Sequence, residues 1–155
     1  MLPQAYLTDR QLEIWRLRFK GFSKAEVGRR LGITRQAVYD AEKYTLEKVE
    51  SALRHVTDAS RIGVHYLDAS KGVLLGFDPS TSNRVIVTFS ARNGVQTWHY
   101  EQPDCCVCRW KDRCKQRLLD EAEEREIHLS AEERELQPSK LAHAIFSKII
   151  PGLTP

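Results

Sequence analysis

Apolar positions near the start of the chain recur with the spacing of a helix. Thr8 opens the capping-box pattern T-D-R-Q, and Gly21 stands where a helix would end. The apolar side chains between them lie about one turn apart: Leu12, Trp15, Leu17 and Phe19. This pattern predicts a helix over about residues 9–20.

Two more helices are predicted before residue 57. Ser23 opens a second capping box, S-K-A-E, ahead of a short helix over 24–31 that Gly32 ends. Thr34 caps a third helix over 34–56, which has no Gly or Pro and is long for a small domain. A narrow apolar seam follows this helix: Val38, Leu46, Val49, Leu53 and Val56. Such a seam packs either in the chain's own core or against a second copy in a homodimer.

The pattern changes to alternation after Ser60. Segments over 61–67, 73–77, 84–90 and 95–100 are rich in β-branched and aromatic residues, and the pair Asn93-Gly94 favours a tight hairpin. We predict a four-stranded antiparallel meander that ends at Gln102-Pro103. Its last aromatic residues, Trp98 to Tyr100, are expected in the core, with the lining of a small-molecule pocket as the alternative.

Helical patterns return after the meander. A helix is predicted over 115–129, and its acidic side is expected to be a solvated face. Ser130 opens a further capping box, Pro138 interrupts the pattern, and a last helix is predicted over 139–150. The chain is therefore expected to be α+β, with an N-terminal domain over 1–58 and a second domain over 59–155.

The first three predicted helices have the layout of a helix-turn-helix, in which the third helix lies in the major groove of DNA. At the start of this helix Arg35 can fork onto guanine, Gln36 can pair with adenine, and Tyr39 can stack or reach a phosphate. The complete set of candidate DNA-binding residues is Ser23, Lys24, Arg29, Arg30, Thr34, Arg35, Gln36 and Tyr39. A three-helix protein-interaction domain is the alternative.

Charge is distributed unevenly along the chain. Residues 1–40 carry eight Lys or Arg and four Asp or Glu, whereas the whole chain has 24 basic and 21 acidic residues. A positive field at the N-terminal end attracts phosphate. This distribution favours the DNA-binding interpretation.

Residues 7–52 resemble the DNA-binding part of the archaeal Tfx-type transcription regulators. The resemblance rests on the helix-turn-helix sequence and on the pattern Glu42-Lys43 with Leu46-Glu47-Lys48 in the helix that follows. It covers about a third of the chain. It implies sequence-specific binding to double-stranded DNA and control of transcription.

All four cysteines lie in one short stretch, DCCVCRWKDRC, over residues 104–114. Cys105, Cys106, Cys108 and Cys114 give the spacing C-C-x-C-x5-C. In a reducing compartment such a cluster indicates a metal, cluster or redox site. Structural zinc usually takes its ligands from two separated turns, so four thiols in one loop favour an iron-sulfur cluster, with zinc, metal-free redox thiols and inert thiols as alternatives.

The last three cysteines are similar to the end of the C-x2-C-x-C-x5-C motif of SoxR-type regulators, which carry a [2Fe-2S] cluster. The first cysteine is displaced here, so one of Cys105 and Cys106 is a candidate free thiol, with His99 or His128 in its place. The basic residues around the thiols are expected to favour thiolate: Arg109, Lys111, Arg113 and Lys115.

Several function classes lack support in the sequence. The first ten residues do not have the layout of a signal peptide, and no apolar run reaches the length of a membrane span, so a cytoplasmic protein without a membrane partner is expected. Neither a nucleotide-binding glycine loop nor a nucleophile with a base partner is evident, which argues against an enzyme.

The leading hypothesis is a dimeric DNA-binding regulator that senses redox state, oxygen or iron through its cysteines. One alternative keeps the DNA binding and gives the cysteines a structural zinc ion. The other is a thiol oxidoreductase or iron-sulfur enzyme fused to a helix-turn-helix.

Overall fold

The computed structural model describes residues 7–101 and 104–153. Within these residues three helices come first, a four-stranded antiparallel sheet follows, and three more helices come after it, which confirms the α+β class. The first six residues of the expected N-terminal domain and the expected end of the meander at Gln102-Pro103 lie outside the described residues. Within the described ranges, none of the helices combines the length and the apolar character needed to span a bilayer.

The helices of the N-terminal half begin at the capping residues that the sequence indicated. They are α1 (Asp9–Phe19), α2 (Lys24–Leu31) and α3 (Arg35–Ser60). The hydroxyls of Thr8, Ser23 and Thr34 accept hydrogen bonds from backbone N–H groups in the first turn of α1, α2 and α3 respectively. Gly32 ends α2 in the left-handed conformation, with φ of 68°.

The seam of α3 packs inside the chain. Val49 and Leu53 are fully buried and belong to the same core as Trp15 of α1 and the sheet residues Val87 and Phe89. The intramolecular interpretation of the seam therefore applies, with Leu46 and Val56 packed against the same core. The expected boundary at residue 58 falls inside α3, which ends at Ser60.

The four strands form a meander in the order β1-β2-β3-β4, in which every pair of neighbours is antiparallel. The strands are β1 (Gly63–Asp68), β2 (Val73–Asp78), β3 (Asn83–Ser90) and β4 (Gly94–His99). Gly94 pairs with Ser90 at the hairpin that the Asn-Gly pair predicted. β1 and β4 are the edge strands.

The two faces of the sheet pack against different helices. Val85 and Val87 face the core that contains α1 and α3, whereas Ile86 and Trp98 face a second core with the C-terminal helices. These helices are α4 (Lys111–Glu124), α5 (Ala131–Arg134) and α6 (Pro138–Phe146). Trp98 and Tyr100 are buried, which confirms the core interpretation for these two residues, whereas His99 between them is exposed.

Three expectations for the C-terminal half need correction. α4 begins at Lys111, four residues earlier than predicted, and therefore includes Cys114. α6 includes Pro138 in its first turn, where the missing N–H of proline costs nothing. The acidic side of α4 is not a fully solvated face, because Glu121 is completely buried and accepts hydrogen bonds from Thr88 and Arg125 at 3.0 and 2.8 Å.

Candidate nucleic-acid interface and cysteine pocket

The start of α3 presents an exposed polar surface. Arg35, Gln36 and Tyr39 are exposed, and Tyr39 keeps 49% of its surface accessible. Val38, in the same turn, is fully buried against Ile14 and Val27. The helix is therefore anchored by its inner side while its outer side is available to a partner.

Close packing of α2 against the turn sets the position of α3. A Cβ atom on Gly28 would lie only 2.7 Å from the backbone oxygen of Ile33, so glycine permits this approach. The N–H of Ile33 donates to the carbonyl of Gly28 at 3.0 Å. Together with the left-handed Gly32, these contacts define the angle between α2 and α3.

The remaining candidate DNA-binding residues differ in their availability. Ser23 and Thr34 are exposed, but their hydroxyls accept the capping hydrogen bonds described above. Lys24 lies 4.8 Å from the centre of the Tyr39 ring and 3.9 Å from the Glu42 carboxylate. Arg29 and Arg30 are both exposed, and Arg30 stacks on a neighbouring ring.

Two further residues at this surface were missed in the sequence. Glu42 accepts a hydrogen bond from Arg18 at 2.9 Å and lies close to Lys24, so one carboxylate connects α1 and α2 to α3. Lys43 is exposed one helical turn after Tyr39. The spacing of four residues between Tyr39 and Lys43 could have identified this lysine.

The cysteines occupy a turn and the beginning of α4. The N–H of Cys108 donates to the carbonyl of Cys105 at 3.4 Å, which closes the turn, and the N–H of Cys114 donates to the carbonyl of Trp110 at 2.9 Å. No disulfide joins them. The stretch is therefore divided between two elements instead of forming a single loop.

Three of the four cysteines share one pocket. Cys105, Cys108 and Cys114 line a cavity of about 240 Å³ at the edge of the sheet, and His99, the last residue of β4, lines it as well. Trp98, Trp110, Leu118 and Ala142 contribute apolar walls. Cys106 is exposed and does not line this pocket.

Burial controls the proton affinity of the thiol on α4. The pKa of Cys114 is raised, first because the thiol is buried and next because Cys108 and Cys105 are close to it. Arg117 and Arg113 lower this pKa without reversing the shift. Nearby basic residues thus favour the thiolate of Cys114, as expected, but burial and the neighbouring cysteines outweigh them.

The donor set of the pocket suits a soft metal centre. Three thiols and an imidazole are ligands of zinc and of iron-sulfur clusters. Across the described parts of the chain, no three His, Cys, Asp or Glu side chains already stand close enough together to hold a metal ion. Binding a metal centre would thus require the thiols to close on the pocket.

No protein-family model, no curated protein and no solved structure matches this chain.

Proposed function

We propose that this protein is a sequence-specific regulator of transcription that binds double-stranded DNA through α3. The observation that carries the proposal is the exposure of Arg35, Gln36 and Tyr39 on a helix whose opposite side is buried. These side chains are of the types that read guanine and adenine or hold a phosphate. The resemblance of residues 7–52 to the Tfx-type regulators supports the same function.

The proposed docking has α3 in the major groove, with its N-terminal turn towards the bases. Arg29, Arg30 and Lys43 flank this turn and are exposed, so they can contact phosphates on either side of the groove. Lys24 would have to break its ion pair with Glu42 before it could contact a phosphate. Archaeal cells have no nucleus, so a DNA-binding protein of the kind that residues 7–52 resemble would act in the cytoplasm.

A homodimer stays a prediction, and it would need another surface. The seam of α3 that suggested it is part of the chain's own core. Light scattering of the purified chain, with and without its DNA site, would measure the number of copies directly.

We further propose that the cysteine pocket holds an iron-sulfur cluster that reports redox state, oxygen or iron. Trp98 lines this pocket from β4, and β4 pairs with β3, whose residues Val87 and Phe89 pack in the core with α3. A change in the pocket can therefore reach the recognition helix through the sheet. The proposal is a binding protein rather than an enzyme.

Structural zinc is the second candidate for the pocket. One specific observation favours it: the donors come from β4, from a turn and from α4, so they can surround one ion from several sides. An anaerobic visible spectrum, with iron and zinc analysis, distinguishes the two. A coloured, iron-containing protein supports the cluster, whereas a colourless protein with one zinc ion supports the structural site.

The DNA-binding proposal is tested by selecting binding sites from a random duplex library and measuring affinity by fluorescence anisotropy. Arg35→Ala and Gln36→Ala should each weaken binding to the selected site by about 1–3 kcal/mol, or roughly 5- to 150-fold. Arg54→Ala is the matched control, because Arg54 is an exposed cation about 28 Å further along α3. Equal affinity for selected and scrambled duplexes would contradict the proposal.

A further inference from the structure

The adjacent cysteines Cys105 and Cys106 have different surroundings. Cys105 is buried and lines the pocket, whereas Cys106 is exposed. The N–H of Cys106 donates to Asp104 at 2.9 Å, and its sulfur accepts a hydrogen bond from the Gln137 amide at 2.9 Å. These contacts hold Cys106 outside the pocket that the other three cysteines share.

We infer that the metal ligands are Cys105, Cys108 and Cys114, with His99 as the fourth, and that Cys106 is not a ligand. This inference rests on the proposed metal site and revises its ligand set. The four donors follow the spacing H-x5-C-x2-C-x5-C. The cysteine pair of the sequence is thereby resolved into one ligand and one free thiol.

The donors reach the pocket from different parts of the fold. His99 ends an edge strand, so no further strand separates it from the cysteine turn. In the alternation of β4 its side chain lies on the face opposite Trp98, so the imidazole must turn around the strand edge to reach the thiols. Cys105 and Cys108 come from one turn, and Cys114 comes from the first turn of α4. Donors on three elements can enclose a metal centre from several sides.

The walls of the pocket are suited to such a centre. Trp98 and Leu118 are buried and shield one side from water, and Lys111 adds a positive charge to the lining. Three thiolates with a divalent cation leave a net negative site, which this lysine offsets. Because the donors do not yet stand at ligand spacing, metal binding is expected to draw His99 and the cysteine turn together.

The test uses the full-length chain, purified without oxygen, with iron and zinc content and the visible spectrum as readouts. Cobalt(II) is added to metal-free protein as a spectroscopic probe, because its absorption reports the number of thiolate ligands. Cys106→Ser should keep the wild-type metal content and spectrum. Cys105→Ser, Cys108→Ser and Cys114→Ser should each lower the metal content or the affinity for cobalt more than about tenfold.

His99 is tested by two substitutions. His99→Ala should weaken metal binding by about tenfold or more, and His99→Cys should restore it with a spectrum that indicates an additional thiolate. His128→Ala is the control, since His128 is an exposed histidine that does not line the pocket. Far-UV circular dichroism of every variant separates loss of a ligand from loss of the fold.

The outcomes distinguish an error in the inferred ligand set from an error in the proposed metal site on which it rests. Loss of metal in Cys106→Ser, or unchanged binding in His99→Ala, overturns the inferred set while leaving a metal site in place. A wild-type protein that binds no iron, zinc or cobalt overturns the metal site and the ligand set together. DNA affinity is measured separately, so neither result bears on the role of α3.

Discussion

The guanidinium of Arg18 and the carboxylate of Glu42 lie 2.9 Å apart and connect α1 to α3. The same carboxylate is 3.9 Å from Lys24, the first residue of α2, and Arg18 also donates to the carbonyl of Phe22 at 2.8 Å. Glu42 is the less exposed partner, with 15% of its side chain accessible. Glu42 of α3 therefore forms ion pairs with both α1 and α2, and so connects the three helices of the proposed DNA-binding unit.

Replacement of Glu42 should loosen this unit. We expect Glu42→Gln to lower the free energy of unfolding by about 1 kcal/mol, because a partly buried charged hydrogen bond is lost. Chemical denaturation measures the effect. Glu50→Gln is the matched control, since its ion pair with Arg54 on the same helix is well exposed and should contribute less than about 0.5 kcal/mol. Equal losses in both variants would argue against a special role for Glu42.

The buried ion pair of α4 gives a second prediction. Arg125 lies 2.8 Å from the buried Glu121 and also donates to the carbonyls of Gly72 and Phe89. Arg125→Gln should lower the free energy of unfolding by about 3–5 kcal/mol, because it leaves a buried carboxylate without its partner. The exposed Arg92 provides the control, and Arg92→Gln should cost less than about 1 kcal/mol.

A double-mutant cycle would show whether this loss comes from the pair. If Glu121 and Arg125 depend on each other, the loss in Glu121→Gln with Arg125→Gln should be smaller than the sum of the two single losses. Strictly additive losses would indicate that the carbonyl contacts of Arg125, and not Glu121, account for its effect.

Local signals in the sequence were sufficient for the order and type of most elements. Thr8, Ser23 and Thr34 act as caps because a side-chain hydroxyl satisfies nearby N–H groups whatever the distant chain does. The burial of Glu121 could not be predicted, since it depends on partners brought in from the sheet and from the end of α4. Likewise, the spacing of the cysteines does not reveal that Cys106 lies outside the pocket, because neighbouring side chains diverge according to the local backbone.

The Arg84 and Glu101 pair predicts a dependence on pH. The pKa of Glu101 lies below its usual value, first because the backbone N–H of Arg84 donates to it. Burial opposes this shift, and the guanidinium of Arg84 lowers the pKa further. A carboxylate with a lowered pKa in the folded state stabilises the protein above its unfolded pKa. That contribution is lost as the pH falls through the lower folded value.

Glu101→Gln should therefore reduce the loss of stability on acidification below about pH 4.5. Urea denaturation at several pH values between neutral and acidic conditions measures the slope of the free energy of unfolding against pH. Glu47→Gln is the control, because Glu47 is an exposed acid on α3 and its replacement should leave the slope unchanged. A variant of Glu101 with the wild-type slope would show that the pair does not act through its charge.

The shared core predicts that the two halves of the chain unfold together. Trp15 packs edge-to-face on Phe89 with 5.0 Å between ring centres, and Leu53 is buried in the same core. A chain cut after residue 60 would expose this apolar surface, so we expect residues 1–60 alone to be unfolded or associated.

In the full chain, Phe89→Ala should lower the stability of both halves by about 3–5 kcal/mol, within one cooperative transition. Hydrogen exchange resolves the halves, since amides of α2 and of β2 should lose protection to the same extent if they share a global unfolding reaction. Lost protection confined to the sheet would mean that the helix-turn-helix is stable without it. The proposed regulator would then lack the mechanical connection through which its cysteine pocket is suggested to act on α3.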